Sequence, residues 1–207
     1  MLNPPDYHLA ELKIALDPSR PGHLIPDAVP PGKRVLDVGC GAGQTLIAVY
    51  PDRLTFGVDP DLEALQLGHR LSGNLALACS SAEALPFPNG SFDSVLARVS
   101  LPYTTLRLSL REIHRVLKPG GALWAVLHSV STPWRSALGV NLKRWVFFVY
   151  IALNSLLFHF AERMVPYLNG RYESFQTIGG MRRALRRVGF REISIVKDKH
   201  FVATAIR

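Results

Sequence analysis

Three glycines at alternate positions, Gly39, Gly41 and Gly43, follow the apolar run Val35–Val38 in the stretch VLDVGCGAGQT. Asp37 lies inside the run and Cys40 inside the glycine loop. A backbone without Cβ atoms lets a ligand approach the main chain closely. A tight turn accounts for one or two such glycines, and three point to a binding loop. The spacing sets aside two phosphate cradles. The dinucleotide fingerprint needs Gly or Ala where Gln44 stands, and a P-loop needs a Lys followed by Ser or Thr. The ligand therefore need not carry a pyrophosphate. Asp59 ends the next apolar run, in GVDPD. A carboxylate there can accept from two vicinal hydroxyls, as on a ribose. It can also cap the following helix, with Pro60 at the first helical position.

Further polar candidates stand after two later runs. ARVSLPY supplies Arg98 and Tyr103, and LHSVST supplies His128. Arg98 is a candidate for both the glycine-loop ligand and a second reactant. His128 has the chemistry of a general base for a hydroxyl acceptor, and equally that of a hydrogen-bonded strand-end histidine. Tyr103 reads as a pocket wall.

The elements that must position these residues alternate along the chain. Strands are expected at 34–38, 54–59, 75–79, 92–98 and 122–128, and helices over 43–51, over 61–71 and over 106–118. The last of these carries Leu106, Leu110, Ile113 and Leu117 on one face and stops at Pro119-Gly120-Gly121. Such alternation predicts a doubly wound, mostly parallel α/β sheet, with ligands beyond the carboxyl ends of its strands. Pro4–Leu16 reads as a short helix and 17–33 as an irregular arm rich in Pro and Gly. MRRALRRVGF reads as the last helix. REISIVK and HFVATAIR, two residues apart, read as an antiparallel pair. A single domain over 1–207 is expected: arm 1–33, core 34–128, insertion 129–173, and C-terminal helix and strands 174–207.

The insertion contains WVFFVYIALNSLLFHFA, Trp145 to Ala161, apolar almost all round. Seventeen helical residues span roughly 25 Å, less than the roughly 30 Å of a bilayer's hydrocarbon core. Three readings stay open: a lid over the site, a helix lying on a membrane surface, and a single span. A dimer interface is a further use of the same face. The formal charge of +8 suits an anionic partner, and RRALRR (Arg182 to Arg187) concentrates it, as a solvated helix face or as a partner patch. The cysteines, Cys40 and Cys79, form no CxxC pair. With no basic-then-apolar start, they predict free thiols in a reducing, cytoplasmic setting.

VLDVGCGAG, GVDPD, SSAEALPFPNGSFDSV and EIHRVLKPGGALW together resemble successive motifs of the class I S-adenosylmethionine-dependent methyltransferases. The resemblance is strongest to the small-molecule branch that acts on ubiquinone, menaquinone and sterol precursors. It covers roughly two thirds of the chain. It implies a Rossmann-like three-layer sandwich with a seven-stranded sheet of order 3-2-1-4-5-7-6, strand 7 antiparallel, and an apolar helical insertion before the last helix. It implies S-adenosylmethionine as cofactor, with Asp37, Gly39, Cys40, Gly41 and Gly43 around its methionine half. It further implies Asp59 on the ribose, Pro60 beside the adenine, and Ser81 with Ala82 at the adenine amino group, where the family commonly has Asp. Arg98 is counted with them.

Methyl transfer to a small, apolar or lipid-like acceptor is the expected function. The pI near 9.9 keeps an RNA methyltransferase as the alternative. SLPY stands where amine-modifying relatives carry Asn-Pro-Pro-Tyr, and no aromatic-basic patch is present, which argues against nucleic acid. A non-catalytic scaffold or partner subunit is the third reading. No metal site is expected.

Overall fold

The computed structural model describes residues 4–127, 142–167, 172–198 and 200–207. Helices α1 (Pro4–Leu16), α2 (Gln44–Val49), α3 (Leu62–Leu71), α4 (Leu106–Val116), α5 (Leu142–Ala161) and α6 (Ile178–Val188) surround strands β1 (Val35–Val38), β2 (Thr55–Asp59), β3 (Leu75–Cys79), β4 (Phe92–Arg98), β5 (Leu117–Leu127), β6 (Arg191–Lys197) and β7 (Phe201–Ile206). The strands form one sheet of order β3-β2-β1-β4-β5-β7-β6. Strands β1 to β5 pair in parallel, and β7 runs antiparallel to both of its neighbours. The expected topology is therefore present.

Period-two alternation explains why the sheet is covered on both faces. On β1, Leu36 and Val38 enter the larger core with Val95 and Ala97 of β4, Leu110 and Ile113 of α4 and Met181 and Leu185 of α6. Val35 and Leu96 turn to the other face and meet Leu46 and Tyr50. Each buried aliphatic side chain contributes about 1.5–3 kcal/mol through area removed from water.

Three local expectations are corrected. Helix α4 ends at Val116 rather than Lys118, and the Lys118–Gly121 stretch joins β5 through a register shift against Phe92 and Ser94. Gly120 N donates to Arg207 O at 3.0 Å, so the chain's last residue draws this segment into the sheet. The N-cap of α3 is Asp61, whose carboxylate accepts from Glu63 N and Ala64 N, so Pro60 precedes the cap instead of opening the helix. Among the described residues, no helix is long and apolar enough to cross a membrane, which sets aside the single-span reading of α5. Cys40 is buried, Cys79 is exposed, and both are free.

Candidate functional site

At the carboxyl ends of β1, β2, β3 and β4, where the strand order reverses between β1 and β4, the sheet opens into a cavity of about 760 Å³. It is lined by Asp37, Gly39, Cys40, Gly41, Asp59, Pro60, Ser81, Ala82, Arg98 and Tyr103, all singled out in the sequence. Gly43 is not among the lining residues, and His128 lies outside the described residues.

The three glycines have positive φ, +75°, +54° and +77°. A Cβ would fall 2.2 Å from the Ser100 Cβ at Gly39 and 2.6 Å from Leu75 Cδ1 at Gly43. At Gly41 it would come within 3.0 Å of the His8 ring. Turn geometry and close protein neighbours thus account for all three. Their number alone does not carry the inference to a ligand, and that part of the sequence argument is corrected.

The carboxylates carry it instead. Asp37 is 2% exposed, and its Oδ1 is buried with no hydrogen-bond partner. Burial raises its carboxyl to about 7; Arg98 opposes that rise and Asp59 adds to it. An orphaned carboxylate oxygen beside a cavity fits a cationic, hydrogen-bond-donating group such as an ammonium. Asp59 Oδ2 accepts from Gly41 N at 2.8 Å and its Oδ1 from Asp61 N at 2.9 Å. The acid thus locks the glycine loop to the start of α3. Each oxygen keeps a second acceptor site, so anchoring and ribose recognition are compatible. The Cys40 thiol is pushed well above its usual range by burial and by Asp37 and Asp59, which leaves it a protonated, packed side chain.

Arg98 faces the cavity but is committed to protein partners. Its Nη2 meets Glu11 Oε2 at 2.9 Å and its Nε donates to Thr45 Oγ1 at 3.2 Å. Gln44 Nε2 donates to His8 Nδ1 at 2.8 Å. Helix α1 is thereby fastened across the cavity edge, and Tyr7, His8 and Glu11 join its lining. Sequence reasoning gave these three no role. The available signal was a polar pair, His8 and Glu11, one turn apart on the face that buries Ala15.

The outer rim carries Tyr7, Tyr103 and Tyr172. The Tyr103 hydroxyl is pushed up to about 12 by desolvation and by Glu173 and Tyr7, so it stays a protonated phenol on the cavity wall. Between Arg98 and Ser100, Val99 holds φ +60°. A β-branched residue there is strained by about 1–3 kcal/mol. Among the described residues, the 20-residue helix α5 contributes no lining residue; Tyr172, downstream of it, does.

The methyltransferase-domain family matches residues 36–125. The chain is 40% identical over 103 residues to a demethylmenaquinone methyltransferase of Geobacillus kaustophilus, covering 44% of this chain and 43% of that protein. It is 37% identical over 110 residues to the uncharacterized methyltransferase YodH of Bacillus subtilis, covering 50% and 46%. The chain spans about half the length of the curated relatives it matches. A solved S-adenosylmethionine-dependent methyltransferase from Mesorhizobium loti superposes with a TM-score of 0.59 at 18% identity, covering 86% of this chain and 94% of that one, a likeness of fold.

Proposed function

We propose that this chain is a class I S-adenosylmethionine-dependent methyltransferase that transfers a methyl group to a small, apolar acceptor. The observation that carries the cofactor half is the partnerless Asp37 oxygen at the cavity wall, with Asp59 at the end of the neighbouring strand. S-adenosylmethionine supplies an electrophilic methyl group on a sulfonium. Asp37 would hold the ammonium of its methionine half, Asp59 the ribose hydroxyls, and Pro60, Ser81 and Ala82 the adenine. The acceptor half draws on the tyrosine rim and on the demethylmenaquinone methyltransferase among the relatives.

The chain's own task is placement. Helix α1, held by the Glu11–Arg98 pair, and the tyrosines at the rim exclude water and orient the acceptor. Positioning of this kind supplies roughly 7–11 kcal/mol. Tyr103 donates to an acceptor oxygen as a protonated phenol. The test follows the label. Purified protein and methyl-labelled S-adenosylmethionine are incubated with bacterial lysate, and organic-soluble, RNA, protein and aqueous fractions are counted. Label in the organic fraction is expected. Label in RNA overturns the reading, and cofactor binding without transfer to any fraction returns the chain to the scaffold class.

A further inference from the structure

We infer that α5 lies on an anionic bilayer surface, with one face in the lipid and arginines beside its end on the headgroups. Trp145, Val149, Leu153, Leu156 and Phe160 are large, apolar and exposed, and they recur every three or four residues, so they form one stripe along the helix. Phe160 is 78% exposed, whereas Phe158 is 1% exposed. Ile151, Asn154 and Phe158 face the body of the protein. Asn154 pins them there: its Nδ2 donates to Glu173 O at 2.9 Å and its Oδ1 accepts from Val165 N at 2.8 Å. The stripe is therefore held outward, and the same contacts run to the segment that carries Tyr172 into the cavity rim.

Charge selects the occupant. Residues 142–188 hold eight Lys and Arg against two Glu, so most of the formal charge of +8 comes from this stretch. Arg183 Nη2 donates to His159 O, and Arg187 Nε lies 3.2 Å from Glu162 Oε2, which places both arginines beside the C-terminal end of α5 where Phe160 projects. Arg186, on the same helix as both, is exposed, as is Arg163 just past the end of α5. A second copy brought onto the stripe by a two-fold axis would set like charges against each other. An anionic lipid surface neutralises them, and it takes a helix with an apolar face and basic flanks.

The full chain, without cofactor or acceptor, is floated with vesicles of phosphatidylcholine and phosphatidylglycerol, and with phosphatidylcholine alone. This readout is independent of methyl transfer, so its failure is distinct from failure of the functional reading. Wild type is expected to float with the anionic vesicles and to lose binding in salt. The variant Leu153→Ser/Leu156→Ser/Phe160→Ser is expected to lose more than about tenfold in partitioning, and Arg163→Gln/Arg186→Gln about fivefold per charge. Trp145→Phe, an exposed conservative change, should abolish the vesicle-induced blue shift of tryptophan fluorescence. No flotation of wild type, an unchanged blue shift in Trp145→Phe, or a wild-type dimer that the triple variant converts to monomer overturns the inference, the last by assigning the stripe to a second copy.

Discussion

Asp37→Asn removes a buried charge and keeps its shape, and so separates binding from folding. At pH values above the Asp37 titration, stability is expected to hold or rise, because the orphaned carboxylate is gone. Affinity for S-adenosylhomocysteine should fall by about 1.5–3 kcal/mol, as for a lost hydrogen bond to a charged group; calorimetry beside a thermal melt reads both. The pH dependence has a definite sign. The folded carboxyl stands at about 7 against an ordinary 3.8, so between those values the folded chain holds the extra proton. Stability from this group falls as pH rises through that window and then levels. An ammonium ligand favours the ionised carboxylate, so affinity should climb as pH passes about 7 in wild type and not in Asp37→Asn. Equal slopes in the two proteins would remove Asp37 from the ligand. Asp59→Ala should weaken binding by a similar amount, about 1.5–3 kcal/mol. It also releases Gly41 N and Asp61 N, so a loss of melting temperature should accompany it.

Among the elements, α1 is the one whose role a sequence reading passes over. Its bonds to the site, His8 with Gln44 and Glu11 with Arg98, bridge 36 and 87 residues, and no local pattern announces such distant pairs. The parallel α/β class was legible because apolar runs and amphipathic helices alternate at short spacing, and the antiparallel C-terminal pair because its strands lie close enough for a hairpin; the order of the strands came from the family resemblance alone. The glycine loop was legible as a place but misread in its cause: Ser100 and Leu75, far along the chain, decide why Gly39 and Gly43 lack side chains. The choice of Asp61 over Asp59 as helix cap was hidden for the same reason, since Gly41 N draws the Asp59 carboxylate away. Two element-level changes follow. Glu11→Gln leaves the Arg98 guanidinium without its ion-pair partner at 16% exposure. It should cost about 1–2 kcal/mol and speed hydrogen exchange across α1. Unchanged protection in α1 would show that the helix is held by other contacts. Gly39→Ala meets both the left-handed backbone and the Ser100 side chain, and should cost about 2–4 kcal/mol in denaturant unfolding.

At the scale of the whole molecule, the two ends of the sheet divide the work. The carboxyl ends carry the cavity, the orphaned Asp37 and the strained Val99, which cost stability in the free protein. The opposite end is stapled by Asp93, at the start of β4. Its Oδ2 meets Lys118 Nζ at 2.7 Å and accepts from Arg34 N at 2.9 Å, while Oδ1 lies 3.5 Å from Lys33 Nζ. One carboxylate thus ties the entry to β1, the start of β4 and the start of β5. Burial pushes this carboxyl up, but the bonds from Lys118 and Arg34 and the charges of Lys118 and Lys33 outweigh it and hold the group at about 2. Stability from a depressed carboxyl is fully present above its unfolded value and is lost as pH falls through the folded one. Asp93 should therefore hold its contribution down to the ordinary 3.8 and lose it between there and about 2. Asp93→Asn should lower stability at neutral pH by about 1–2 kcal/mol, discounted for the exposed lysines. It should also flatten the acid limb of a pH-dependent melt and leave S-adenosylhomocysteine affinity unchanged. Asp37→Asn should do the reverse, losing affinity at constant or raised stability. Weakened binding in Asp93→Asn would mean that the two ends are coupled through β4, and that the staple holds the cavity's shape as well as the fold.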